Sequence, residues 1–544
     1  MGIFGFSELL CIRQLFSFCG ASGKGDMIMF LMNANPDQSF DLMAEIESVV
    51  NSFYTVLSDY ILVVLLIAVG LFFTIRTRFV QVRCFGEGMK RMFGNFSLHG
   101  GKQRGGMSSF QALATAIAAQ VGTGNIVGAC AAILFGGPGA IFWMWIIAFL
   151  GMSTIYAEAV LAQKTRVVDE NGNAAGGPVY YIKTAFKGRF GKILAGFFAV
   201  AVILALGFMG IMVQSNSITG AIAGVANIDA EATVLGGTNW YIGVIVGVVL
   251  AFLAAIIFVG GSNRVASVTE KVVPIMAILY IILCLIIIGS RITVIPETFG
   301  LIFKYAFEPY ALLGGGFGFA VSKAVSLGAK RGLFSNEAGM GSTPHAHALA
   351  KVEHPHDQGV VAMIGVFIDT FVVLTLTALT VISSLYAGGG PLGQATTAPI
   401  LDKGNVVGAM AANGDKFYNT NMAQEAFGSL FGDGIGGALV AICLFFFAFS
   451  TIVGWGLFGK LNFEHLFGKK MTVVYSVLSV IFVFLGACLK NSLVWTLTDV
   501  FNALMVIPNV IALVALSGLV VKLVKEGTER KKARKAEKKL SQAK

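Results

Sequence analysis

The sequence predicts an all-α, polytopic membrane protein with eleven transmembrane helices, and three observations predict it. Of its 544 residues, 56% are hydrophobic and 12% charged, with a mean hydropathy of +0.79; a soluble domain carries about 25% charge. Eleven apolar stretches approach the ~20 residues that a spanning helix needs. Their approximate limits are 55–75, 107–134, 139–163, 193–217, 239–260, 268–290, 307–333, 358–386, 434–459, 471–489 and 498–521. Third, the positive charges alternate between the connecting segments. With the N-terminus outside, 32 Lys and Arg fall on the inner side and seven on the outer side, and cytoplasmic loops carry the excess of Lys and Arg. The expected arrangement is N-out and C-in, multi-pass in the cell (inner) membrane.

The net charge of +10 sits in those inner segments, so no nucleic-acid partner is expected. Residues 1–53 form an N-terminal extension to which no function is assigned, and Cys11 and Cys19 within it can pair if it is exported. Residues 54–76 hold an extra first helix. Ten spans remain, in two sets of five, 106–290 and 297–523. An odd number per set makes the second set enter the membrane upside down, the inverted-repeat arrangement in which Gly-interrupted helices at matching positions mark the site. The first helix of set one carries Gly122-Thr123-Gly124, inside a stretch, 105–157, with no Asp, Glu, Lys or Arg. The first helix of set two carries glycines at 314–316 and 318, and reads as a short outer half, a break and a longer inner half. The 388–433 loop is external, without a clear span. Residues 524–544 form a basic cytoplasmic tail near anionic headgroups, read as a solvated topology anchor.

A helix break in lipid survives only where protein buries it or it lines a cavity. It exposes amides at one half-helix end and carbonyls at the other. The amides of Thr123 and Gly124 suit a carboxylate; carbonyls near Ala119 and around Gly316 suit an ammonium. Asn125, with carbonyls around Gln120, offers oxygens for one Na⁺. Ser450 and Thr451 offer adjacent hydroxyls, which either bind an ion or bond back to carbonyls one turn earlier. Phe317 and Trp455, with the helix around Gln214, are candidate walls of a small pocket. Glu158 and Asp369 are the acids deepest in the spans; Glu158 is expected to brace the broken helix by accepting its amides. His345, His347, His354 and His356 form two His-x-His pairs, read as part of a solvated loop. Cys84 lies in a loop, and Cys130, Cys284, Cys443 and Cys488 pack as small hydrophobes. No nucleophile–base–acid set, phosphate loop or redox motif appears, so neither an enzyme nor a cofactor is expected.

Five motifs in order resemble the alanine/glycine:cation symporter family. They are Thr74-Ile75-Arg76-Thr77-Arg78-Phe79, Gly136-Gly137-Pro138-Gly139-Ala140, Gly177-Pro178-Val179-Tyr180-Tyr181, Met212-Val213-Gln214-Ser215-Asn216 and, most specific, Arg331-Gly332-Leu333-Phe334-Ser335-Asn336-Glu337-Ala338-Gly339-Met340-Gly341-Ser342. The likeness runs from about residue 56 to about residue 519. It implies the leucine-transporter-like fold, with broken first and sixth core helices, and sodium-coupled uptake of alanine or glycine. It also implies a shared Na⁺ site made of the Ala118, Val121 and Phe447 carbonyls with the Ser450 and Thr451 hydroxyls. The expected partners are a small neutral amino acid, Na⁺ and the bilayer, with the chain a monomer. Serine or glutamine as substrate, proton coupling, a channel and a non-transporting sensor or scaffold stand as alternatives.

Overall fold

The structure is a computed structural model. It describes residues 57, 61–93, 107–308 and 317–543, apart from 169, 171–173, 227, 229, 395–396, 403–404 and 490. The chain divides into two units, Met1–Phe53 and Tyr54–Lys544; the first, with Cys11 and Cys19, lies outside the described residues.

The second unit is helical because lipid offers the backbone no hydrogen-bond partner, so each span satisfies its own N–H and C=O groups. Among its described helices are α1 (Val63–Arg76), α2 (Phe85–Phe93), α3 (Ser109–Gln120), α4 (Gly124–Gly136), α5 (Ala140–Thr165), α6 (Gly188–Val225), α7 (Trp240–Val259), α8 (Gly261–Ser290), α9 (Ile295–Tyr305), α10 (Phe317–Asn336), α11 (Pro344–Leu349), α12 (Pro355–Leu385), α13 (Met422–Phe431), α14 (Asp433–Phe467), α15 (Thr472–Cys488), α16 (Asn491–Ala515) and α17 (Ser517–Ala543). Among the described residues, eight helices are long and apolar enough to cross a membrane, or nine with α3 and α4 taken as one bent span. Of the eleven expected stretches, the first appears as the short helix α1, and the seventh as α10, which carries Lys323, Lys330 and Arg331. Arg331 is accommodated by an ion pair with Asp499 at 3.3 Å and by the ring of Trp495, 4.7 Å from its guanidinium carbon.

The bend that organises the molecule lies between α3 and α4. Ser108 caps α3, accepting from the Gln111 amide at 3.0 Å, while the Gln111 side chain takes the Ser108 amide. The helix then runs to Gln120 and stops. Val121 leaves helical geometry at φ −80° and ψ 85°, and α4 resumes at an angle of 48°. Its first turn, Gly124–Gly128, is π-helical, as are Ile203–Gly210 in α6 and Phe367–Leu374 in α12. Such wide turns cluster at functional sites.

Among the described residues, the second break lies beyond the glycine run. α10 is continuous from Phe317 to Asn336, and the chain leaves helical geometry at 337–343, where Glu337, Gly339 and Gly341 have φ of 57°, 93° and 81°. Pro344 then opens α11. Residues 314–316 lie outside the described residues. Two left-handed glycines followed by a proline at a helix start compel the stop and restart at 337–343. Lys323, Lys330 and Arg331 therefore precede this break rather than following the span.

Close packing brings the breaks together. α10 lies against the start of α5, where a Cβ on Gly328 would come within 2.7 Å of the Ala140 oxygen. Gly454 lets α14 approach α3, since a Cβ there would be 3.2 Å from the Ala119 backbone. The 386–432 connection is folded: strands Ala398–Asp402, Asn405–Met410 and Lys416–Phe417 form an antiparallel three-stranded sheet, followed by α13. The tail is helical through α17, and part of it is docked rather than solvated. Lys531 pairs with Glu87 at 2.9 Å and Arg530 with Glu353 at 3.0 Å.

Candidate functional site: two facing helix breaks

The Gln120 side-chain amide donates to the main-chain oxygen of Asn336 at 2.7 Å, so the end of α3 meets the end of α10. Around this contact the expected residues fall into three groups.

The first group converges on oxygen. The Thr451 hydroxyl lies 2.8 Å from the Ala118 oxygen, 3.4 Å from the Ala119 oxygen and 3.0 Å from the Phe447 oxygen. The Ser450 hydroxyl lies 2.9 Å from the same Phe447 oxygen. Val121 is the residue at which α3 ends, one turn beyond Ala118. Both hydroxyls thus bond back along α14, and Thr451 also spans to α3. Gly122 has no alternative here, because a Cβ would sit 2.4 Å from the Thr451 hydroxyl oxygen.

The second group closes the α3–α4 break. The Thr123 amide donates to Gln214 Oε1 at 3.1 Å, and the Gly122 amide to Asn125 Oδ1 at 3.1 Å. The other end of Asn125 donates to the Asp369 carboxylate at 2.7 Å, which also accepts from Ser335 at 2.8 Å and Thr370 at 2.9 Å. Gly124 faces Phe334 and Ser335, at 3.2 Å and 3.0 Å from a built Cβ. Asn125 and Asp369 therefore tie the two broken helices to α12 through one carboxylate.

The third group holds the 337–343 turn. Glu158 accepts the amides of Gly339 at 3.1 Å and Gly341 at 2.9 Å, and the Asn509 side chain at 2.6 Å. It braces a broken helix, as expected, but the amides belong to the turn after α10 rather than to 122–124. Trp455 donates its indole N–H to Glu337, whose second oxygen accepts from Ser342. Trp455 also meets Phe334 edge-on at 5.6 Å, and Phe334 lies 4.9 Å from Trp495. Phe317, by contrast, opens α10. At 1.5 Å per residue it is about 28 Å along the helix from Asn336, so the structure does not bring it to the breaks. Gly316 lies outside the described residues.

Sequence reasoning missed Phe334, Ser335 and Glu337, although all three lie in the motif quoted above. The signal was present: Gly339, Gly341 and Pro344 follow Asn336 closely, and Glu337 is an acid standing between that asparagine and the two glycines. The histidines are not solvated: His345, His347 and His356 are 2%, 1% and 1% exposed. His345 bonds Ser342 and Asn462, and His347 bonds Gln358.

Three buried side-chain polar atoms around the first break have no hydrogen-bond partner: Gln120 Oε1, Thr123 Oγ1 and Gln214 Nε2. Each such atom costs ~1–3 kcal/mol when left unsatisfied, which marks the place where a polar ligand would supply what is missing. Beyond the Phe334–Trp495 pair opens a cavity of about 710 Å³, lined by Asn216, Thr219, Arg331, Trp495 and, from the 386–432 connection, Tyr418 and Val406.

The chain is 40% identical over 486 residues to the sodium/alanine symporter AgcS of Methanococcus maripaludis, covering 89% of this chain and 97% of the relative. It is 35% identical over 492 residues to the amino-acid carrier protein AlsT of Bacillus subtilis, with 89% and 94% covered. It is 36% identical over 492 residues to that organism's probable sodium/glutamine symporter GlnT, with 90% and 92% covered. Among solved structures it is similar in fold to MhsT in complex with L-phenylalanine, at 14% identity and a TM-score of 0.50, covering 78% of this chain and 99% of that one. The model of the sodium:alanine symporter family matches residues 43–542. This chain is a multi-pass membrane transporter that belongs to the sodium:alanine symporter family, in which Na⁺ is the coupling ion.

Proposed function

We propose that the chain carries a small neutral amino acid, alanine or glycine, into the cell together with Na⁺ by alternating access. The observation that carries the reading is the set of unpartnered atoms, Gln120 Oε1, Thr123 Oγ1 and Gln214 Nε2, around the first of two facing helix breaks. Na⁺ is held by the Ala118, Val121 and Phe447 carbonyls with the Ser450 and Thr451 hydroxyls, an oxygen set that suits a hard cation. The amino acid lies at the breaks, its carboxylate toward the Thr123–Gly124 amides and its side chain toward Phe334 and Trp455. The two repeats, 106–290 and 297–523, rock about this site, with the N-terminus outside and the C-terminus inside. A zwitterion moved with one Na⁺ carries one charge, so 100 mV supplies about 2.3 kcal/mol, enough for about 50-fold accumulation.

The test is uptake of labelled alanine by proteoliposomes under an inward Na⁺ gradient, compared with Na⁺-free buffer. Uptake that needs Na⁺ and is competed by glycine supports the reading; equal uptake without Na⁺ ends it. Glutamine is the second substrate to include, because a relative 36% identical is named a probable sodium/glutamine symporter. A reporter fused after Lys544 should be active only in the cytoplasm.

A further inference from the structure

One of the His-x-His pairs splits. His354 faces Glu526 of α17 at 3.3 Å, while His356, in the first turn of α12, turns inward to α2. There, Cys84, Glu87 and His356 each offer a ligand atom, and the three atoms lie within 4.8 Å of one another. We propose that they form a binding site for one divalent ion of the Zn²⁺ class, which pins α2 to the start of α12. This site is separate from the helix breaks and does not rest on the transport reading.

Local structure brings the ligands together. Cys84 and Glu87 stand three residues apart at the start of α2, where the Glu87 amide bonds back to the Cys84 oxygen at 3.1 Å; that spacing puts both side chains on one face. Gly88 lets this face lie on α12, since a Cβ there would be 2.5 Å from the Val360 oxygen. His356 is oriented by Tyr156, whose hydroxyl is 2.6 Å from Nδ1. Its other nitrogen, Nε2, is buried without a hydrogen-bond partner and lies 3.7 Å from Glu87 Oε1. A ring fixed through one nitrogen and free at the other is the usual disposition of a metal-binding histidine. Around a tetrahedral ion with bonds of ~2.0–2.3 Å, ligand atoms stand about 3.3–3.6 Å apart, so small side-chain shifts close the site. Thiolate, imidazole and carboxylate together suit Zn²⁺, with the fourth position open to water. Binding replaces the Cys84 thiol proton, which is released to solvent.

The ion has competitors at Glu87. Lys531 of α17 sits on Glu87 Oε2 at 2.9 Å, and Arg91 reaches Glu87 Oε1 at 3.2 Å and Asp357 at 2.8 Å. Arg91 holds Glu87 Oε1, the oxygen nearest His356, and Lys531 holds Oε2, so both cations compete with the ion for the charge of one carboxylate.

The experiment titrates the purified full chain, without a polyhistidine tag, with Zn²⁺ against a chromophoric chelator, and with Co²⁺ to read a thiolate-to-metal charge-transfer band. The expected result is one ion per chain with that band. Cys84→Ser should abolish the band and weaken Zn²⁺ more than about tenfold, His356→Gln should weaken it likewise, and Lys531→Gln should tighten it. If His356→Gln loosens the fold through its Tyr156 contact, the near-isosteric Cys84→Ser carries the test alone. A folded wild type with no band, or Zn²⁺ binding unchanged in Cys84→Ser, overturns the proposal.

Discussion

The Thr451 hydroxyl stands 2.8 Å from the main-chain oxygen of Ala118, across 333 residues of sequence. It joins the centre of α14 to the last turn of α3, just before the break. The same hydroxyl is what a Cβ on Gly122 would strike. One contact therefore joins α14 to α3 at the edge of the break.

Thr451→Val keeps the shape and removes the oxygen. Loss of one charged hydrogen bond or ligand of ~1.5–3 kcal/mol should raise the Na⁺ concentration for half-maximal uptake by about 10- to 150-fold. The melting temperature should change little. Uptake against Na⁺ concentration measures it, and an unchanged curve removes Thr451 from the ion site.

Glu158→Gln tests the brace of the 337–343 turn. The carboxylate takes two amides and the Asn509 side chain. A glutamine amide turns one acceptor into a donor that faces another donor, at ~1–3 kcal/mol. The expected outcome is a lower melting temperature and loss of uptake, with little recovery at high alanine concentration. Wild-type stability in a folded variant would show that the turn holds itself.

The aromatic walls give a substrate-size prediction. Phe334 and Trp455 meet edge-on at 5.6 Å, and overpacking against such walls costs ~1–3 kcal/mol. Phe334→Ala should let valine or leucine compete with labelled alanine while weakening alanine itself. Trp455→Phe should do less to size, because its main loss is the hydrogen bond to Glu337. An unchanged rank order in both variants would place the side-chain pocket elsewhere.

The docking of the tail carries a pH dependence. Burial pushes the Glu87 carboxyl up, but its contacts with the neighbouring His356 and Lys531 outweigh it and hold it at about 2, against an ordinary 4.5. A carboxyl depressed in the folded state stabilises it fully above the ordinary value, and the contribution fades as pH falls from 4.5 towards 2. Limited proteolysis of α17 should therefore be the same at pH 7 and pH 5 and should accelerate only below about pH 4. Release of the tail near pH 6 would contradict the ion pair.

The sequence by itself determined the class of the protein. Apolar stretches of spanning length and a one-sided distribution of Lys and Arg are properties of the chain, and lipid leaves a helix as the only way to satisfy each span. It also located the first break, because Gly122-Thr123-Gly124 interrupts a span that has no charge to explain it. It singled out Gln214, Thr451 and Trp455; the structure sets Gln214 and Thr451 at that break and Trp455 at the second. Tertiary structure alone decided the second break. Glycine content ranked 314–318 first, but what stops α10 is the backbone sign at Gly339 and Gly341, held by the Glu158 carboxylate from α5. It likewise decided which acid meets which amide, because Glu158 and Gly341, 183 residues apart, become neighbours only when α5 packs beside the turn. The same holds for His356: its pairing with His354 in sequence carried no chemistry, and its approach to Cys84 and Glu87 depends on a Gly88 that lets two helices touch. Local pattern records what a residue does to its own backbone; which partner it finds is set by how closely the helices approach.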